Sequence, residues 1–568
     1  MASAEKEECG VKIEEEPKKA MDLDTILVKE IGQIGCFQFR IMGLAMSMAI
    51  FAAWAAAEFN FTTARIPTRC LIPECETEES FEFRAPWVLN AAAVPAAGSS
   101  FDQCRRYRNI SSIAAPRPTS AIAALRDDSC PAEWFNRDSI KDCEVHLYEN
   151  TDTVVHTFGL ACDEWRRTLI GSIRTLGTLV ALPITGYISD RWGRRTALSI
   201  NAFTTAWMGV VRYWSDTYVG FLISEVMEST FSGGFSCAYI ILMELMGPKY
   251  RVAAGASLNT SFSIGLVLLG FIAWGVPDWR NLTLALYIPQ LLTFSYYFLM
   301  AESVRWYMSK NRFEDAERVL KTAAKANKRE LSEKSLELLR EHALEEERKK
   351  ADERAQSVNE PWLVVLVFRH KRILVRCMVS PVWWITTTFI YYGMSINAVN
   401  MSGNRYLNYV AVSAVEIPGY WAAVVLMARV GRKPVLISAF WVCCACQIGY
   451  IFIPNDQYAA SLALYLVGKF SIAMVMTSIY VYTSELYPTK YRHSLFAFSS
   501  MVGRIGSIVA PLTPAFGAAV WDDLPFALFA GFAFVSGLLV LFTPETLGTK
   551  LPDTMEEASN LGLRKTEP

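Results

Sequence analysis

The stretch Gly186-Tyr187-Ile188-Ser189-Asp190-Arg191-Trp192-Gly193-Arg194-Arg195 joins two apolar runs through a short, strongly basic turn. It returns in reduced form as Ala428-Arg429-Val430-Gly431-Arg432-Lys433, where Gly431 follows Gly193 by 238 residues. Two further motifs repeat at nearly the same distance. Glu244-Leu245-Met246-Gly247-Pro248-Lys249-Tyr250-Arg251 is echoed by Glu485-Leu486-Tyr487-Pro488-Thr489-Lys490-Tyr491-Arg492, with the glutamates 241 apart, and Glu302-Ser303 is echoed by Glu545-Thr546, 243 apart. A chain that repeats polar turns in near-constant register is built from two related halves.

Between these turns lie apolar runs long enough to cross a membrane. Of the 568 residues, 52% are hydrophobic and 20% charged, the latter below the ~25% of ordinary soluble chains; mean hydropathy is +0.22. A helix rises 1.5 Å per residue, so ~20 apolar residues cover the ~30 Å hydrocarbon layer. Twelve runs qualify: 38–59, 167–188, 196–214, 218–245, 252–276, 282–300, 373–397, 408–427, 434–453, 458–483, 494–518 and 523–543. A soluble enzyme is excluded as the leading reading, and a formal net charge of −1 offers no footprint for nucleic acid. Residues 1–20 are charged, so no cleavable signal peptide is expected. The expected fold class is an all-α membrane protein with twelve transmembrane helices in two pseudo-symmetric six-helix bundles. Its parts are an N-terminus 1–37, a first half 38–300 containing a hydrophilic loop 60–165, a helical linker 301–372, a second half 373–543 and a tail 544–568.

Lys and Arg are retained on the cytoplasmic side of short loops. Loops 2–3, 4–5, 8–9 and 10–11 carry Arg191, Arg194, Arg195, Lys249, Arg251, Arg429, Arg432, Lys433, Lys490 and Arg492, against Arg280 and Arg405 on the other side. This places both termini and the linker in the cytoplasm and loop 60–165 outside, at the plasma membrane. Six of the thirteen cysteines (Cys70, Cys75, Cys104, Cys130, Cys143 and Cys162) fall in that loop. In an oxidising compartment they allow three disulfides, with fifteen possible pairings left open. Sequons at Asn60 and Asn109 are candidate glycan sites. Cys443, Cys444 and Cys446 have no nearby His or carboxylate and are read as packing residues. In the linker, Phe313, Ala316, Val319, Leu320 and Ala323 recur at helical spacing, as expected of short amphipathic helices.

Two parallel six-helix halves imply a binding site near the bilayer midplane between them, opened alternately by rocking. The repeated charges then read as a gate. Arg191, Arg194 and Arg195, with Asp190 and Gly193 in the same turn, are expected to pair with Glu244, Glu302, Glu485 or Glu545 when the cytoplasmic side closes. Arg251, Arg305, Arg429, Gly431, Arg432 and Arg492 complete the candidate gating set.

These motifs resemble the major facilitator superfamily, and within it solute carrier family 22, transporters of organic cations, carnitine-like zwitterions and organic anions. The resemblance rests on Gly186–Arg195, Glu302-Ser303-Val304-Arg305-Trp306, Tyr391-Tyr392-Gly393-Met394-Ser395 with Gly403-Asn404, Glu485–Thr489, and Pro544-Glu545-Thr546 with Leu551-Pro552-Asp553-Thr554. With the Cys-rich loop and the linker it covers nearly the whole chain, and it implies the major facilitator fold. Departures are Ala428, where an acid is usual, Ala301 in place of proline, and Glu225, where the superfamily commonly has arginine.

An ionisable residue at mid-span costs ~2.5–3.5 kcal/mol on insertion scales, so each is a functional candidate. Arg504 is the sharpest, sharing a helical face with Ser500 and Ser507; its guanidinium fork matches a carboxylate. The resemblance implies that anion and carnitine-type members look similar here, whereas cation members tend to carry an acid. In span 8, Glu416 and Tyr420 lie one turn apart with Ser413; carnitine-type members share Glu-x-Pro-x-Tyr, whereas anion members usually place lysine at Tyr420. In span 7, Trp384, Thr388, Tyr391 and Ser395, with Tyr392 beside them, offer rings for an onium group. Glu225, Glu228, Ser232 and Ser236 form a polar stripe on span 4, and Lys469 sits in span 10; these carboxylates either bind a proton or Na⁺ or neutralise Lys469, Arg174 or Arg504.

The function expected is secondary, alternating-access transport of small organic anions or carnitine-like zwitterions, with an organic cation carrier of the same fold as alternative. No Walker A sequence is present, and no nucleophile–base or metal spacing suggests an enzyme. A non-transporting receptor that uses loop 60–165 is the rival of another class. No cofactor is expected beyond a coupled Na⁺, H⁺ or exchanged organic ion. The partners expected are a small organic anion or zwitterion and the lipid bilayer, with the chain working as a monomer and no nucleic acid bound.

Overall fold

The structure, a computed structural model, describes residues 23–76, 81–93, 101–110, 130–357, 362–454, 457–549, 552 and 554–561. Ten helices are long and apolar enough to span a bilayer: Cys36–Thr62, Glu164–Trp192, Tyr218–Leu245, Pro248–Gly275, Trp279–Leu299, Lys371–Asn400, Arg405–Arg429, Arg432–Phe452, Tyr458–Leu486 and Arg492–Val520. They are spans 1, 2, 4, 5, 6, 7, 8, 9, 10 and 11. Arg194–Arg212 and Leu524–Val540 supply spans 3 and 12. Span 3 has a weak hydropathy signal because Asn201, Thr205 and Arg212 lie on its buried face. The twelve helices together make the major facilitator fold.

The repeated glycines have a local cause. Gly193 and Gly431 have φ of 102° and 116°, a region that strains any residue with a Cβ. Each turns the chain sharply from one span into the next. At Gly431 a Cβ would also lie 2.7 Å from the Glu545 carboxylate, which accepts the Arg432 and Lys433 backbone N–H groups at 3.0 and 2.9 Å. Glu545 therefore caps the N-terminus of span 9, where the helix dipole favours an anion.

Several spans are interrupted. Span 4 breaks between Tyr218–Thr230 and Gly234–Leu245, which removes Ser232 and Ser236 from the stripe expected beyond Glu228. Spans 2 and 4 approach closely here: a Cβ on Gly177 would lie 1.9 Å from Ser229 Oγ, and one on Gly233 2.0 Å from Thr185 Oγ1. Span 11 continues through a 3₁₀ turn at Ala510–Leu512, where Pro511 disrupts the α ladder.

Loop 60–165 forms a small disulfide domain. Strands β1 (Thr68–Cys70), β2 (Arg105–Asn109), β3 (Phe135–Asp142) and β4 (His146–Tyr148) make two antiparallel pairs, β1–β4 and β2–β3. The pairings are Cys70–Cys143, Cys75–Cys130 and Cys104–Cys162. The first two pack with Trp87, Tyr107 and Phe135 in a core of their own. Asn60 is only 5% exposed. The folded protein thus buries this expected glycan site. Asn109 is half-buried in β2, and Ser111 of its sequon lies outside the described residues.

The described residues form two compact units, falling within residues 1–42, 241–254 and 301–360 and within 43–240, 255–300 and 361–568. The second holds most of both halves. Within the first, linker helices Phe313–Ala326 and Glu333–Ser357 are present as expected, and Ala316, Leu320 and Ala323 are buried. Asp24 receives Arg251 at 2.6 Å and Arg305 at 2.7 Å. These two gating candidates are thus tied to the N-terminal segment, a partner outside the expected set of glutamates.

Candidate functional site

Spans 7 and 11 form the closest seam of the C-terminal half. A Cβ on Gly503 would lie 2.8 Å from Trp384 Cβ, one on Gly506 2.2 Å from the Ile385 carbonyl, and Thr388 donates to the Gly503 carbonyl at 2.6 Å. With both glycines turned into that seam, Arg504 is carried on another face of the helix and remains half-buried. Among the described residues its guanidinium has no ion pair. Ser507 is buried and donates to the Arg504 carbonyl at 2.7 Å, so it fixes the helix rather than lining a cavity beside the guanidinium.

Arg504, Tyr392 and Tyr239 lie within electrostatic reach of the Tyr480 phenol. Tyr239 comes from span 4 and the other three from spans 7, 10 and 11, so this group draws on both halves. Tyr480 and Tyr239 are 43% and 40% exposed. Trp384 is buried behind Tyr480 and Phe496, with ring centroids 4.8 and 5.5 Å away, and its indole donates to Thr483 at 3.1 Å. It supports the aromatic wall from the second layer.

The other expected binding residues are engaged elsewhere. Glu416 and Lys469 form an ion pair at 2.9 Å, both fully buried. The second Glu416 oxygen accepts Ser263 at 2.9 Å, Tyr391 at 2.8 Å and Tyr420 at 3.0 Å. Lys469 also donates to the Tyr391 carbonyl and Ser395 Oγ at 2.8 and 2.7 Å and sits 3.8 Å from the Tyr391 ring centroid. Five hydrogen bonds and a ring offset the desolvation of this pair.

In the N-terminal half, Glu225 and Glu228 pair with Arg174 and Arg212. Glu58 joins them through Arg212 and accepts Thr283 at 2.7 Å and Tyr287 at 2.9 Å. Hence seven of the nine expected binding residues, Tyr391, Trp384, Glu416, Tyr420, Lys469, Glu225 and Glu228, are buried in this state, and Arg504 and Tyr392 are half-buried. Neither Glu58 nor Arg212 was expected. Both are ionisable residues inside spans, and the same cost argument that marks Arg504 marks them.

The two halves pack together toward the disulfide domain. Tyr406 stacks between Phe61 and Trp274, at 5.7 and 6.3 Å with interplanar angles of 13° and 7°. A Cβ on Gly171 of span 2 would lie 2.7 Å from Pro511 of span 11. Trp421 donates to Thr260 at 3.1 Å, and the Ser263–Glu416 bond also crosses between halves. At the opposite end the gating candidates make local contacts: Arg194 with Asp190 at 2.7 Å, Arg191 with Tyr187 at 3.3 Å, Arg195 over the Tyr297 ring at 4.7 Å, and Arg432 with Glu485 at 3.1 Å. Arg492 donates to Thr489 at 3.2 Å. Glu485 and Glu545 thus serve their own half in this state; the partnership expected with Arg191, Arg194 and Arg195 belongs to the state closed at this end. Glu302 accepts the Ser303 N–H at 2.9 Å, Glu244 is half-buried and Arg429 is exposed.

The family model for sugar and other transporters matches residues 135–557. The organic cation transporter protein of Drosophila melanogaster is 30% identical over 551 residues, covering 94% of each chain. The chain belongs to solute carrier family 22. The human organic cation/carnitine transporter 2 is 28% identical over 541 residues, 93% of this chain and 92% of its own. Among solved structures, the xylose transporter XylE from E. coli in an inward-open conformation superimposes with a TM-score of 0.58 at 15% identity, over 91% of this chain and 98% of that one. As a solute carrier family 22 member the chain is a multi-pass membrane transporter of the major facilitator superfamily, and its relatives are transporters rather than enzymes.

Proposed function

We propose that this transporter carries small organic anions or carnitine-like zwitterions, holding the substrate carboxylate on Arg504. The observation that carries the reading is a guanidinium with no ion pair among the described residues, in a group with Tyr239, Tyr392 and Tyr480, while Glu225, Glu228 and Glu416 are spent on buried arginines and lysine. A bidentate charge-assisted contact suits a carboxylate, and tyrosine faces suit an aromatic body or an onium head. The zwitterion reading draws on those rings and on the carnitine carrier among the relatives.

The positive-inside distribution and the disulfides support an orientation at the plasma membrane with the disulfide domain outside and both termini in the cytoplasm. With the Phe61–Tyr406–Trp274 stack shutting the outer end, substrate enters and leaves Arg504 from the cytoplasm in this state. A negative interior opposes anion entry by ~2.3 kcal/mol per charge per 100 mV, so net anion uptake calls for exchange or a coupled ion.

The test is uptake of three labelled probes, a quaternary-ammonium zwitterion, an organic anion and a permanent cation, by cells with matched surface levels of wild type and Arg504→Ala. Anion or zwitterion uptake that vanishes in Arg504→Ala supports the assignment. Cation uptake alone, unchanged by the substitution, refutes it.

A further inference from the structure

The buried charges of the two halves differ in balance. In the C-terminal half Glu416 faces Lys469, one negative against one positive. In the N-terminal half three carboxylates, Glu58, Glu225 and Glu228, share two guanidiniums, Arg174 and Arg212. Glu58, Glu225, Glu228 and Arg212 have fully buried side chains, and that of Arg174 is 5% exposed. Fully ionised, the cluster holds one uncompensated negative charge away from water, which costs several kcal/mol even after relaxation.

The carboxylates are not equally supplied. Glu228 accepts Arg174 at both oxygens, and Glu58 accepts Thr283 and Tyr287 besides Arg212. Glu225 accepts Arg174 through one oxygen, while its Oε1, although 3.2 Å from Arg212, is buried without a hydrogen bond. We propose that this cluster is a binding site for one exchangeable proton, carried on Glu225 Oε1. Binding forms one O–H bond and brings the cluster to two negative and two positive charges; release returns the proton to water.

The charged groups around Glu225 are Arg174 from span 2, Arg212 from span 3, Glu58 from span 1 and Glu228 on its own helix, with Tyr287 from span 6 hydrogen-bonded to Glu58. Among them Glu58 links the site to transport. It lies one helical turn before Phe61, the ring that stacks on Tyr406 to join the halves. Opening that end moves the segment carrying both residues, disturbs the Glu58–Arg212 contact and exposes the cluster to water. Proton occupancy and the closed state are therefore linked.

The experiment measures thermal unfolding of purified full-length protein from pH 6 to 9 without substrate, in wild type, Glu225→Gln and Glu58→Gln. Either substitution leaves two carboxylates facing two arginines. The native wild type holds a proton that the unfolded chain has released, so its midpoint falls as pH rises, the site's occupancy dropping about tenfold per unit once it is mostly empty. Both variants lose this pH dependence, and Glu58→Gln serves if Glu225→Gln does not fold. A second arm replaces Na⁺ by choline at fixed pH and is expected to change nothing. Equal pH slopes in wild type and a folded variant, a flat wild-type profile, or a midpoint that follows Na⁺ instead of pH overturns the proposal. None of these readouts depends on the substrate assigned to Arg504.

Discussion

Removing the ammonium of Lys469 exposes what the buried pair in the C-terminal half contributes. In Lys469→Met, Glu416 keeps hydrogen bonds from Ser263, Tyr391 and Tyr420 at 2.8–3.0 Å but loses the countercharge at 2.9 Å. Removing one partner of a buried pair costs ~3–5 kcal/mol, and three hydroxyl donors retained by the carboxylate hold the loss to the lower end, ~3 kcal/mol. Glu416→Gln is milder, ~2 kcal/mol, because Lys469 keeps the Tyr391 carbonyl, Ser395 and a ring contact of the kind that reaches ~2 kcal/mol when desolvated. Lys469→Met combined with Glu416→Gln removes both charges with similar volume and lies within ~1 kcal/mol of wild type, as replaced buried pairs do. The assay is thermal unfolding of the four purified proteins as a double-mutant cycle. A double variant as unstable as the sum of the singles would refute the pairing.

Three other outcomes follow from the same geometry. Tyr406→Ala removes two stacks worth ~0.5–1.5 kcal/mol each, shifting the population roughly 5–150-fold toward the state open at the disulfide end; a cysteine at Tyr392→Cys then reacts faster with an impermeant thiol reagent added on the disulfide-domain side, and an unchanged rate contradicts the gate. Changing Cys104 and Cys162 together to serine frees a 58-residue loop, a loss of ~4 kcal/mol in the chain-entropy model, visible as faster proteolysis of the disulfide domain with the spans intact. Asp24→Asn loosens Arg251 and Arg305, both partly solvated pairs; each such pair is worth ~0–1 kcal/mol, so the midpoint hardly moves while amides of residues 23–31 exchange faster.

The span pattern is legible because hydrocarbon thickness sets helix length, and the register of about 240 residues between the turns marks two halves in the sequence itself. Gly193 and Gly431 were visible as a repeat, and their positive φ explains why glycine stands at both. Insertion cost marked Arg504 as an intramembrane charge, and the structure leaves it half-buried with no ion pair among the described residues. What the sequence could not supply was partnership across spans. Glu225 and Glu228 signalled charge, but Arg212 and Glu58 reach them only through the packing of spans 1, 3 and 4. Trp384 had the spacing of a cavity residue and turned out to support Tyr480 and Phe496, since one helical face can meet a neighbouring helix or a cavity with the same periodicity. Asp24 was hidden in a charged terminus where composition gives no contact. The cysteine pairing needed the strand register of the disulfide domain.

The most direct test of the account is uptake of one aromatic scaffold in three forms, carboxylate, neutral amide and quaternary ammonium, by wild type and Arg504→Glu at equal surface level. The guanidinium's bidentate bond is worth ~1.5–3 kcal/mol, so wild type favours the carboxylate over the amide roughly 10–150-fold, and Arg504→Glu abolishes carboxylate uptake while ammonium uptake persists or rises. Carboxylate and amide carried equally by wild type, or carboxylate uptake surviving in Arg504→Glu, would contradict it.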